Sequence, residues 1–167
     1  SMLDAPLYFV RGNHDKIVEY SPEAQQRVSP HGGNDLHRKA VKTDGLLLAG
    51  VEGCLRYRPG PFQYSQAEMW MNVFSLLPKL FLNRLLYGRF LDVFVTHAPS
   101  AGIHDQTDLP HRGIKAFRWL TKVVKPAYHF HGHVHVYRPD TRVTTVFEST
   151  TVINTFKYRI TEVSLPE

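Results

Sequence analysis

Three short segments are built on histidine, the first adding an amide and the last a second imidazole: Gly12-Asn13-His14-Asp15, Thr96-His97-Ala98-Pro99 and Gly132-His133-Val134-His135. Imidazole nitrogen and amide oxygen suit first-row divalent metals better than magnesium or calcium alone. His133 and His135 are two residues apart, so an extended backbone points both rings to one side. Neighbouring residues so placed can serve two ions about 3.5–4 Å apart. His14, next to Asn13, is an imidazole able to give up a proton near neutral pH, and Asp15 stands beside it to orient the ring.

Elements that can bring these segments together are readable around them. Leu7-Tyr8-Phe9-Val10 is a short apolar run that ends in the turn Arg11-Gly12-Asn13. Leu91 to Thr96 is a second run, stopped by Pro99 just after His97. Pro126 to His131 is a third, leading to Gly132 and His133. In open α/β sheets, ligands collect outside the carboxyl ends of the strands, where all three segments fall. Taken singly, each histidine is as readily a buried ring bonded to backbone; the three strand-then-motif units together point to a metal centre.

In this order the motifs resemble the later motifs of the calcineurin-like metallophosphoesterase family: GNH[DE], a strand ending in His, and GHxH. The resemblance spans Leu7 to about His135. Gly102-Ile103-His104-Asp105, followed by Asp108, His111 and Gly113, is similar to a bacterial branch of that family. It implies an α/β/β/α sandwich and one domain over residues 1–167. It implies that Asn13, His97 and His133 bind one metal and His135 another, the pair being manganese, iron or zinc. The implied reaction is hydrolysis of phosphate mono- or diesters, with a metal-bridging hydroxide as nucleophile and His14 as general acid. Substrate contacts are expected from Arg11, His104, Asp105, Asp108 and His111. Arg11 reads equally well as a solvated surface residue, and Asp105 or Asp108 as a cap at the start of the following helix.

The family also opens with Asp-x-His and Gly-Asp motifs, the second supplying a carboxylate that bridges the metals. Six residues precede Leu7 here, and Asp4 is their one carboxylate. Ser1-Met2 reads as a tag remnant followed by a start residue, so an amino-terminally truncated domain is expected. On that reading the intact parent is the enzyme, whereas this chain holds one metal ion or none and has weak activity or none. A non-catalytic scaffold or binding module on the same fold is the alternative.

The 167 residues suffice for one domain with a substantial core. Apolar content of 43% and charged content of 21% are ordinary for a globular chain. The single Cys54 excludes an intrachain disulfide and, with no apolar leader, fits a reducing, cytoplasmic setting. Lysines and arginines give a net charge of +5 but are scattered, so nucleic-acid binding is not supported. His31 and His37 fall in a polar stretch without an assigned role.

Asp44-Gly45 marks a two-residue turn between strands over Arg38–Thr43 and Leu46–Val51. Gly53, Pro59, Gly60 and Pro61 mark an irregular loop near the expected site. Ser65 to Arg89 is helical and very apolar, and Pro78 should kink or divide it. Its lysine, asparagine and arginine argue against a membrane span. It reads as a helix pair covering a sheet, or as a lid or oligomer surface. A further amphipathic helix is expected from Gly113 to Val124, with Phe117 and Leu120 inward. Two or three antiparallel strands are expected over Arg142–Leu165. Loss of the strands that flank Leu7–Val10 in a complete domain should leave an unpaired edge. Homo-oligomers through that edge or through the apolar helices are therefore expected.

Overall fold

The computed structural model describes residues 5–15, 33–138 and 140–164. Asp4 and His31 lie outside the described residues. A mixed six-stranded sheet, flanked by helices, forms the centre. Its spatial order is β3 (Lys39–Thr43), β4 (Leu46–Val51), β7 (Val93–Thr96), β8 (Tyr128–His131), β10 (Thr150–Asn154) and β9 (Thr144–Phe147). The four inner strands run parallel, and an antiparallel hairpin partner closes each side. All four inner strands therefore end at the same margin, at Val51, Thr96, His131 and Asn154.

The Asp44-Gly45 turn falls between β3 and β4 as its residues require, with both at positive φ. The strand starts at Lys39 because Arg38 takes a left-handed turn and donates its N–H to Gly50 O. The apolar stretch after it divides into α1 (Gln66–Phe74) and α2 (Leu77–Tyr87). Ser65 and Glu68 form a reciprocal capping box on α1. Pro78 lies in the first turn of α2, where its missing N–H costs no helical bond. On the third helix, α3 (Lys115–Val124), Phe117 and Leu120 are fully buried. Phe94 of β7 meets Phe117 edge to face, joining sheet and helix in one apolar core with Met69, Val73 and Leu80.

The opposite face of β4 receives the first described segment. A Cβ on Gly50 would lie 2.7 Å from Leu36 Cβ and 2.8 Å from Val10 Cγ1, so the bare backbone admits that layer. There β1 (Tyr8–Phe9) pairs in parallel with β2 (Asn34–Asp35). The Leu7–Val10 run is thus shorter than its apolar residues suggest and half-buried, with Leu7 exposed. A further short ladder joins β5 (Cys54–Leu55) to β6 (Gln63–Tyr64).

Of the two or three antiparallel strands expected at the carboxyl-terminal end, two form. β9 and β10 form the antiparallel pair, but β10 runs parallel to β8, and described residues 155–164 add no strand. Thr155 gives both its N–H and its hydroxyl to His131 O, which turns the chain off the sheet there.

Candidate metal centre

β1 delivers a tight turn whose ends are tied reciprocally. Asp15 N–H donates to Gly12 O at 3.1 Å, and Gly12 N–H donates to Asp15 Oδ2 at 2.7 Å. The turn is held to the sheet margin by Gly53 N–H, which donates to Arg11 O. It presents Asn13 inward, 5% exposed, and leaves His14 and Asp15 exposed. Gly12 is required by proximity: a Cβ there would come within 2.5 Å of His97 Cε1.

His97 follows directly on β7. The chain after β8 folds back so that Gly132 N–H donates to His97 O at 3.0 Å. His133 then adopts a left-handed backbone, φ 66°, rare for a residue with a Cβ and characteristic of functional positions. Asn154 Nδ2, at the end of β10, donates to Val134 O and pins the segment.

These backbones bring three side chains together. His97 Nε2 lies 2.9 Å from Asn13 Oδ1 and 3.0 Å from His133 Nδ1. His133 Nε2 faces Pro110 O at 2.8 Å and must carry the proton there, so Nδ1 presents a lone pair. Asn13 Nδ2 donates to Tyr57 Oη at 3.0 Å, which fixes the amide with its oxygen toward His97. One N–H on His97 cannot satisfy two acceptors; three Lewis bases meet at one point, as a divalent cation needs. The outer bonds from Tyr57 and Pro110 orient two of those bases in the way metal ligands are oriented.

Burial holds the His97 pKa down to about 3, with the neighbouring His133, His14, His131 and His135 rings opposing a proton further. Burial likewise lowers that of His133. Both are neutral and ligand-competent at neutral pH. Among the described residues no three His, Cys, Asp or Glu side chains form a metal-holding group; the trio here owes its third donor to an asparagine amide.

The remaining expected residues are dispersed around this point. His135 is exposed, its Nδ1 2.9 Å from Tyr137 Oη and its ring 4.7 Å from Phe156. His111 has its ring 5.3 Å from that of His133 and its Nδ1 bonded to Asp108 at 2.7 Å. Asp105 accepts from Gly113 N–H, just before α3. His104 turns to the buried His131, Nδ1 to Nε2 at 3.0 Å, and receives the Thr145 hydroxyl on Nε2. His129 is fully buried and donates from Nε2 to Thr96 Oγ1. The Arg11 guanidinium is paired with Asp35 and lies over the Phe9 and Phe62 rings. His37 faces Glu52, Nε2 to Oε1 at 3.6 Å.

Reasoning from sequence missed Tyr57, the Pro110 carbonyl and the packing role of Gly12. Tyr57 sits in the irregular Gly- and Pro-rich loop already placed near the site, and that loop was its one signal.

The family model for calcineurin-like phosphoesterases matches residues 1–137. Among solved structures, TT1561 of Thermus thermophilus is 16% identical with a TM-score of 0.49, covering 73% of this chain and 49% of its own. Another is 19% identical with a TM-score of 0.49, covering 74% of this chain and 46% of its own. The chain thus spans about half the length of these two structures. No curated protein matches.

Proposed function

Because the chain belongs to the calcineurin-like phosphoesterase family, whose members carry out metal-dependent phosphoester hydrolysis, we propose that it contributes one wall of such a centre, acting on phosphate mono- or diesters. The observation that carries this reading is the convergence of Asn13 Oδ1 and His133 Nδ1 on His97 Nε2. These three residues would hold one manganese, iron or zinc ion, and His135 would serve a second. When bound, such ions activate water as a nucleophile and neutralise charge on the phosphoryl oxygens.

The chain's own groups supply the rest. His14, exposed beside the trio, donates a proton to the departing alkoxide. Asp15 secures the turn that places it. His111, held by Asp108, stands where a phosphoryl oxygen beside His133 can be met, and the loop from His104 to Gly113 lines that side. Buried Thr96 and His129 keep the strand ends rigid behind the ligands.

A second reading, a binding module without turnover, is favoured by the side chain of His135, which faces Tyr137 and Phe156. The test is to strip the purified chain of metal, titrate manganese and zinc, and follow hydrolysis of p-nitrophenyl phosphate and bis-p-nitrophenyl phosphate. Metal-dependent turnover abolished by His97→Ala supports the enzyme. Tight metal binding without turnover supports the module.

A further inference from the structure

Helix α2 has two apolar faces. At about 100° per residue, Leu80 and Asn83 point into the protein, where both are buried, while Phe81, Leu82, Leu85 and Leu86 point away from it. Leu85 is 82% exposed and Phe81 61%, so most of the outward stripe stays open among the described residues. Contiguous large apolar side chains of this kind mark interaction surfaces.

Charge decides the partner. Lys79 and Arg84 flank the stripe on its two sides, and from Met69 to Leu91 there are three cations and no carboxylate. Phe81 packs edge to face on Phe90 at 5.7 Å. Phe90 in turn lines a cleft of about 530 Å³ together with Arg84, Arg89, Lys125 and Asp92, the last paired with Arg89 at 2.7 Å, so that the cations outnumber the carboxylate there. The apolar stripe therefore runs into a cation-rich recess. A second copy docked face to face through this helix would add three more cations and, from the same stretch, no carboxylate to pair with Lys79 and Arg84. An anionic lipid surface meets both features at once: acyl chains for the stripe, phosphate head groups for its rim. The helix, 11 residues long and so about 16 Å, lies on such a surface and cannot cross it.

We propose that α2 docks this protein on anionic bilayer surfaces, with Phe81, Leu82, Leu85 and Leu86 entering the acyl boundary and Lys79 and Arg84 reaching the head groups. Leu91 and Tyr128, at the starts of β7 and β8, line the adjoining cleft. The docking face is thus at the opposite margin of the sheet from His97 and His133, and the two sites are separable.

The experiment is co-sedimentation of the whole chain with vesicles of phosphatidylcholine, with and without phosphatidylglycerol, alongside analytical ultracentrifugation. Retention by the anionic vesicles is expected to exceed that by neutral ones on the order of tenfold and to fall with salt. Phe81→Ser with Leu85→Ser should abolish it while the circular dichroism spectrum is unchanged, since both side chains are exposed. Lys79→Gln with Arg84→Gln should remove the preference for anionic lipid. Failure to bind anionic vesicles overturns the proposal, including the case where the chain is a dimer that Phe81→Ser and Leu85→Ser dissociate. Vesicle binding that survives the double serine change overturns it as well.

Discussion

His133 donates its Nε2 proton to the carbonyl oxygen of Pro110 across 2.8 Å, from a left-handed backbone. That bond fixes the tautomer and so decides what His133 offers to His97: a lone pair on Nδ1, at 3.0 Å. Pro110 belongs to the loop that also carries His104, Asp105, Asp108 and His111. The loop's first effect on the centre is thus exerted through a backbone oxygen, and of its side chains His111 stands nearest, its ring 5.3 Å from that of His133.

Tyr57 plays the same part for Asn13, and removing its hydroxyl should loosen the centre without touching a ligand. Tyr57→Phe frees the Asn13 amide to rotate. Partners of this kind typically govern metal affinity by about 10–100-fold. Isothermal titration with manganese or zinc should show a weaker Kd, with the folded spectrum intact. An unchanged Kd would mean that the Asn13 amide is held by other contacts.

Gly12→Ala should damage the centre more than the fold. The added Cβ would meet His97 Cε1 at 2.5 Å and Nδ1 at 2.8 Å, so the imidazole must leave its place beside Asn13. Overpacking of this sort costs about 1–3 kcal/mol. Metal content by mass spectrometry should fall sharply, while urea unfolding shifts only by that modest amount. Full metal retention in the variant would show that His97 has room to move.

Much of this arrangement was legible because it is local. Asn13, His97 and His133 each stand just past an apolar strand, and parallel strands must end at one margin. The hairpin at Asp44-Gly45, the break at Pro78 and the inward Phe117 follow from turn chemistry, a missing N–H and helical period. What was not legible is long-range or backbone-borne. Tyr57 meets Asn13 across 44 positions, Pro110 contributes a carbonyl that any residue has, and Asp15 bonds its own turn. Periodicity likewise could not tell that β10 would pair parallel to β8, since a β-rich run shows its strand character and not its neighbour.

Acid should destabilise the metal-free chain through its buried imidazoles. Burial pushes His37 down from 6.5 to about 4, against the raising influence of Asp35 and with Arg38 and Arg11 adding to the effect. His131 is lowered to about 4, also chiefly by burial. Between about pH 6.5 and pH 4 the unfolded chain therefore binds more protons than the folded one. The stability held above pH 6.5 is lost as pH falls through that window, by at most about 1.4 kcal/mol per unit for each group. Urea midpoints measured on metal-free protein should drop from pH 7 to pH 5, and less steeply in His37→Gln. A midpoint flat across this range would contradict the neutral buried state of both rings.

The proton-donor role of His14 makes the most selective prediction. Its ring is exposed and close enough to His97 and His133 to oppose their protonation electrostatically. It is adjacent to the ligand trio without being bonded into it. Removing it should leave metal content unchanged. Loss of a general acid costs about 10²–10⁴-fold when the leaving group needs a proton. An alkyl phosphate leaves as a basic alkoxide and should show that full loss in kcat. A p-nitrophenyl ester leaves as a stabilised phenolate, which departs without a proton, and should be slowed far less. The measurement is therefore the ratio of the two rates in His14→Ala against the unmodified chain, made at equal metal loading. Equal slowing of both substrates would assign His14 to holding the phosphoryl group or the turn, and the proton would have to come from elsewhere.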